Sequence, residues 1–181
     1  MDNEQKVIIG SWIQAIGTIS SAIGISTFTT ISEEILNSMT LIGNVLQATG
    51  NAIVADTIET MTLNKIGSQI QAIGNSTVVT GIILASDEKP GILLDIKGNL
   101  LQALGGGTSL SQALGAEPSE AELYNINGHI LGITGNSLQA YAGARGLRNE
   151  DGEIFNVVGS WIQATGAVIG AVGQTKYPNQ S

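Results

Sequence analysis

The residues of this chain that could do acid–base or metal chemistry are few and scattered. His129 is the only histidine, and there is no cysteine, which excludes disulfides, thiolate catalysis and cysteine metal sites. His129 follows Asn127 and Gly128, a pair typical of turns, and no nucleophile-elbow sequence accompanies it. We therefore interpret His129 as a solvated or locally hydrogen-bonded turn residue, in preference to a member of a catalytic triad or a metal ligand.

The carboxylates form short clusters beside predicted helix starts and turns. Negative charge is stabilised near a helix N-terminus, which accounts for these positions without any bound metal. The clusters are Glu33 and Glu34, Asp87 and Glu88, Glu117, Glu120 and Glu122, and Glu150, Asp151 and Glu153. The last cluster lacks EF-hand spacing, so weak calcium binding is only a minor alternative. We predict no metal, no cofactor and no enzymatic activity.

A run of glycines at residues 105–107, followed by Thr108 and Ser109, resembles a phosphate-binding loop in outline. It lacks the Gly-Lys-Ser/Thr ending that makes such a loop specific. The simpler interpretation is a flexible turn that ends a helix.

One polar residue recurs at a fixed place in an eight-residue word, Gly-[Ser/Asn]-x-[Ile/Leu]-Gln-Ala-x-[Gly/Ala]. Six copies begin at residues 10, 43, 67, 98, 135 and 159. Amides are poor acids, bases and nucleophiles, so the repeated glutamines favour hydrogen bonding within packed helices. The alternative is that they line a lumen. The glutamines of this polar stripe are Gln14, Gln47, Gln71, Gln102, Gln139 and Gln163.

Glycines separated by seven residues run along most of the chain. Seven residues make two turns of α-helix, so such glycines share one face, whereas in a strand they would alternate between faces. With Ile or Leu at the fourth position of the word, the pattern indicates a close-packed helical seam. Strands, suggested by the β-branched and glycine-rich composition, are the alternative. The predicted seam contains Gly10, Gly17, Gly24, Gly43, Gly50, Gly67, Gly74, Gly98, Gly105, Gly135, Gly159 and Gly166.

The elements that must position these residues are predicted to be six helices in a single repeat domain spanning residues 1–181. Ser32 and Ser119, each followed by glutamates, are predicted helix starts. Interior glycines each cost about 1 kcal/mol relative to Ala, so these helices need burial against one another. The fold class is therefore an all-α helical repeat bundle, with helices near residues 5–25, 31–54, 58–84, 92–105, 120–144 and 154–173.

Composition restricts the partners. Only 12% of residues are charged and the net charge is −8, which argues against binding nucleic acid or docking electrostatically on anionic lipid. The acidic start, residues 1–6, lacks the basic region of a secretory signal. We therefore expect cytoplasmic synthesis, with the final site open, including a spore or cell surface after release.

The repeated word resembles that of short, cysteine-poor repetitive proteins of spore-forming Bacillus-type bacteria, which form a family of unknown function. The resemblance covers residues 7–173. It implies a bacterial repeat protein and brings no activity with it.

For function, the sequence favours a structural protein that assembles with itself into a homo-oligomer or polymer. Helices that are apolar on most sides leave too much adhesive surface for a monomer in water. The first alternative is a membrane-associated or pore-forming protein, because four charge-free stretches reach spanning length, although they contain many polar residues. The second is a cytosolic binder of a hydrophobic ligand. The stretches are residues 7–31, 35–55, 66–86 and 154–175.

Overall fold

The computed structural model describes residues 1–85 and 88–178, and these residues form helices joined by short loops. No strand occurs among them, so the predicted all-α class is confirmed and the strand alternative is wrong. The helices are α1 (Asn3–Ile25), α2 (Glu33–Thr57), α3 (Leu63–Ala85), α4 (Lys89–Gly115), α5 (Glu120–Gly146) and α6 (Glu153–Lys176).

Local sequence determines where most helices start. The side chains of Ser32 and Ser119 accept hydrogen bonds from the backbone N–H of Ile35 and Glu122, as the two predicted helix starts require. Asp2 caps α1 in the same way. Of the acidic cluster Asp87 and Glu88, Asp87 lies outside the described residues and Glu88 directly precedes α4. Lys89 already begins α4, with a proline in its first turn.

α4 is longer than predicted. The glycines at residues 105–107 were expected to end it, but the helix continues to Gly115. The reason is packing on two sides. A Cβ atom built on Gly105 would lie 2.5 Å from the carbonyl oxygen of Gly67, and one on Gly106 would lie 3.1 Å from Ile133. Close contacts to both neighbouring helices therefore outweigh the low helix propensity of glycine. Because residues 105–109 are helical, this segment does not form a phosphate-binding loop.

The helices form a closed ring. Each one packs against the helices before and after it in the chain, and α6 packs against α1. Within the described residues, no helix fills the centre, and no helix packs its backbone closely against one that is not its neighbour in the ring. Two indole hydrogen bonds join the first and last helices: Trp12 Nε1 donates to Thr175 Oγ1 at 2.9 Å, and Trp161 Nε1 donates to Ser26 Oγ at 3.0 Å. Successive helices therefore surround a central space.

Consecutive helices pair as hairpins, α1 with α2, α3 with α4, and α5 with α6. Within each pair, backbones touch at facing glycines. A Cβ atom would lie 2.6 Å from the Gly43 carbonyl oxygen if built on Gly17, and 2.7 Å from that of Gly98 if built on Gly74. Real Cβ atoms do not approach other atoms within 3.0 Å. Glycines from both helices thus occupy positions where no side chain fits.

Candidate functional site

The inner wall of the ring is polar. The second and fifth positions of the repeated word lie three residues apart, so on a helix they fall on one face. In most copies that face is buried. The buried polar residues at these positions are Asn44, Gln47, Ser68, Asn99, Gln102, Asn136, Gln139, Ser160 and Gln163. Ser11, Gln14 and Gln71 are half-buried. Each helix therefore turns a stripe of amides and hydroxyls toward the centre.

The outer surface is largely apolar. The third and seventh positions of the word are exposed in every copy. They include Trp12, Ile16, Val45, Ile73, Leu100, Leu104, Tyr141 and Trp161. The buried apolar side chains are mostly alanines, together with Leu36 and Val78. Many large aliphatic side chains are thus exposed while many amides and hydroxyls are buried, which is unusual for a water-soluble protein.

Four of the six repeated glutamines meet at the centre. Gln163 Nε2 donates to Gln47 Oε1 at 3.0 Å and to Gln102 Oε1 at 3.1 Å. Gln139 Nε2 donates to Gln163 Oε1 at 3.0 Å. We call these four residues the glutamine layer. They come from α2, α4, α5 and α6, and they bridge the ring by hydrogen bonds between side chains.

The glutamine layer separates two cavities. The first, of about 230 Å³, opens toward the end where α1 begins, and the second, of about 310 Å³, toward the end where α1 finishes. Gln102 and Gln163 line both. Gln14 and Gln71 line the first cavity only, so these two sequence-predicted residues lie outside the layer. Each cavity has room for several water molecules.

Several buried polar atoms lack a hydrogen-bond partner within the protein. They are Asn51 Nδ2, Ser109 Oγ and Asn136 Oδ1, whose residues line the first cavity, and Asn75 Oδ1. A buried polar atom without a partner costs about 1–3 kcal/mol. Water or another polar molecule in the lumen satisfies such atoms, and an apolar molecule does not. The wall is therefore suited to polar contents.

Two of the titratable residues that line the lumen are Asp95, which the sequence analysis missed, and His129, which it misplaced. Asp95 lines the second cavity, and its Oδ1 accepts a hydrogen bond from Asn99 Nδ2 at 3.1 Å. His129 lines the first cavity from the middle of α5, so its predicted position in a turn is wrong. Extending the seven-residue frame would have found both. Gly91 opens a frame with Asp95 at the glutamine position, and Gly128 opens one with His129 at the Ser/Asn position.

Two residues of the last acidic cluster, Glu150 and Asp151, lie beside Arg145 at one end of the ring. Arg145 Nη2 lies 3.7 Å from Glu150 Oε2, and its Nε donates to the backbone oxygen of Asp151 at 2.7 Å, which stabilises the turn between α5 and α6. Among the described residues, no three histidine or acidic side chains converge as a metal site would require.

The aromatic residues lie toward the two ends of the ring. Trp12, Tyr124 and Tyr177 belong to the end with the first cavity, since Trp12 reaches the last turn of α6 and the two tyrosine rings are 6.0 Å apart. The Tyr177 hydroxyl donates to the Glu120 carboxylate, which raises the pKa of Tyr177. The aromatic residues at the other end of the ring are Phe28, Tyr141, Phe155 and Trp161. The rings of Tyr141 and Phe155 meet edge to face there, with their centroids 5.0 Å apart.

The chain matches one known protein family. A family of unknown function, DUF6944, matches residues 5–171, which run from the first turn of α1 into α6. The chain belongs to this family. No curated protein and no solved structure matches it. Membership of DUF6944 assigns no activity to the chain.

Two helices of this DUF6944 protein, α1 and α6, are apolar and long enough to cross a membrane by themselves. Such helices alone are weak support for a membrane location, because core helices of soluble proteins pass the same test. Here, however, only 33% of each apolar stretch is buried within the ring. The remainder of each stretch is half-buried or exposed, and its exposed residues include Trp12 and Ile16 of α1 and Val158 and Trp161 of α6.

Proposed function

We propose that this protein is a membrane-embedded six-helix barrel whose polar lumen provides a path for water and small ions, with the glutamine layer as its constriction. The observation that carries this proposal is the inverted distribution of side chains: amides and hydroxyls on the inner wall, large aliphatic side chains on the outer surface.

The energetics of the outer surface favour a bilayer. Leaving a large aliphatic side chain in water forgoes about 1.5–3 kcal/mol compared with burying it. In lipid the same surface is solvated by acyl chains, and helices satisfy their own backbone hydrogen bonds there. The exposed set includes Ile16, Ile42, Ile73, Leu104 and Ile154.

The glycines fit the same environment. Lipid supplies no hydrophobic drive between helices, so association depends on close backbone packing at small residues. We assign that role to the predicted seam, whose glycines from Gly10 to Gly166 face the partner helix of each hairpin, as Gly10 faces Gly50 and Gly135 faces Gly159. The repeated word then encodes both faces of each helix, glycine toward its partner and glutamine toward the lumen.

The dimensions also agree with a bilayer. The shortest charge-free part of any helix is residues 98–115 of α4, which extends about 27 Å and is comparable to a hydrocarbon core of about 30 Å. Lys97, just outside this part, is exposed and is able to extend toward the headgroups. Aromatic side chains toward both ends match the belts found at membrane interfaces.

The test is flux through vesicles containing the purified protein. The parent protein should require detergent for extraction and should raise water and small-ion flux above that of lipid alone. Gln163→Ala should increase the flux by widening the constriction, and Gln163→Leu should abolish it. Gln69→Leu is the matched control, because Gln69 is exposed on the outer surface of α3. A parent protein that leaves flux at the lipid baseline would overturn the proposal.

A second candidate is the self-assembly that the sequence favours. The same apolar outer surface could be covered by further copies of the chain, giving a homo-oligomer or polymer in water. Purification without detergent separates the two. Ordered particles that are larger than a monomer, resist salt and do not partition into membranes support assembly. The cavities are lined by polar side chains, so they do not support the alternative of a hydrophobic-ligand binder. The amides of the glutamine layer are poor acids, bases and nucleophiles and give no reason to propose catalysis.

A further inference from the structure

We propose that the lumen admits small cations in preference to anions and that Asp95 determines this preference. The inference rests on the proposed conducting function and names the class of solute that the path selects.

Asp95 is placed to act on any ion that crosses the constriction. It lies seven residues before Gln102 on α4, and therefore on the same face, about 10 Å along the helix axis. Both residues line the second cavity. Asn99, one turn from Asp95, donates a hydrogen bond to the carboxylate from its side-chain amide at 3.1 Å. An ion in this cavity must pass close to the negative charge.

No opposing charge lies on the inner wall. Within the described residues, neither cavity is lined by lysine or arginine. The other titratable lining residues are Glu153 in the second cavity, and Glu122 and His129 in the first. The basic side chains are engaged or point elsewhere: Lys6 lies 3.8 Å from Asp56, Lys65 Nζ donates to the Ile58 carbonyl oxygen, and Lys97 is exposed.

The surroundings suit passage rather than tight binding. The second cavity is also lined by the amides of Asn44, Gln47, Asn99 and Asn156, whose oxygens can replace part of the hydration shell of a cation. No three acidic side chains converge in the described residues, so a high-affinity divalent site is not formed. Monovalent cations such as K⁺ are the expected permeant ions.

The experiment measures the reversal potential across a planar bilayer under a KCl gradient. For the parent protein we expect a K⁺ to Cl⁻ permeability ratio of at least about tenfold, from the Coulomb attraction of one charge at about 10 Å with an effective dielectric constant near 20. Asp95→Asn keeps the shape of the side chain and should move the reversal potential toward zero while conductance persists. Asp95→Glu should retain the preference. Acidification should weaken the preference in the parent, and it should have a smaller effect on Asp95→Asn, in which Glu153 and Glu122 are the remaining acidic lining residues.

Asp56→Asn is the control, because Asp56 is exposed, pairs with Lys6 and lines neither cavity. Its reversal potential should equal that of the parent. A conducting parent with no cation preference, or a cation-selective Asp95→Asn variant, would overturn this inference and leave the conducting function standing. A parent without conductance would overturn both.

Discussion

Gln163 is the residue on which the centre of the ring depends. Its side chain contacts three other glutamines, and each of these comes from a different helix. The sequence predicted that the six repeated glutamines share one polar stripe per helix. It could not show that four of them bond to one another while Gln14 and Gln71 lie outside the layer. That depends on how far each helix is shifted along the ring axis relative to its neighbours.

Replacing Gln163 by leucine should destabilise the fold by about 1–3 kcal/mol, because the amide groups of Gln47, Gln102 and Gln139 lose their shared partner. Thermal or denaturant unfolding in detergent micelles measures this. Gln69→Leu makes the same chemical change on the outer surface and should cost little. Equal stability of the two variants would contradict a hydrogen-bonded layer.

Two glycine-to-alanine variants should have opposite effects. In Gly17→Ala, the new Cβ would lie 2.6 Å from the carbonyl oxygen of Gly43, so α1 and α2 must separate and stability should fall. In Gly107→Ala, no atom of another helix lies within 4 Å of the new Cβ, so the higher helix propensity should stabilise by about 1 kcal/mol. The same unfolding assay compares them. An increase in stability from Gly17→Ala would show that the glycines are not contact positions.

At the level of elements, the sequence predicted helix starts better than helix ends. Ser32 and Ser119 are local signals, and the structure uses both as caps. The predicted end of α4 was wrong. The low helix propensity of three successive glycines suggested a break, but contacts with α3 and α5 keep this segment helical. His129 was misplaced for a related reason: the Asn-Gly pair before it signals a turn, but the seven-residue frame continues through α5.

Hydrogen exchange tests the continuity of α4. The amides of Gly105, Gly106 and Gly107 should be protected as strongly as that of Leu101, because all four lie inside one helix. Glu117, which is exposed just past the helix end, should exchange fast by comparison. Rapid exchange confined to the three glycines would mean that the helix breaks where the sequence suggested.

For the whole molecule, the closed ring was beyond the reach of the sequence. A seven-residue pattern shows which face of a helix packs closely, but not how many helices close a ring or whether the polar face turns inward. The apolar character of most faces left assembly in water and insertion in a bilayer both open. The third and seventh word positions are exposed in all six copies, and purification without detergent distinguishes coverage of this surface by lipid from coverage by further copies of the chain.

Oriented membranes provide a test at this scale. If the ring spans the bilayer, polarised infrared spectra of aligned lipid stacks should place the helix axes within about 40° of the membrane normal. The expectation follows from six helices of similar length running along a common axis. Helix axes lying in the membrane plane would indicate a surface-bound assembly instead.

The alternation of helix direction around the ring has an electrical consequence. Each helix carries a macrodipole equivalent to roughly half a charge at either end, and neighbouring helices in antiparallel hairpins oppose one another. The axial dipoles of the six helices therefore largely cancel, and the backbone contributes little net axial field to the lumen. Any rectification recorded across this protein must come from side chains, with Asp95 on one side of the glutamine layer and Glu122 on the other as the first to examine.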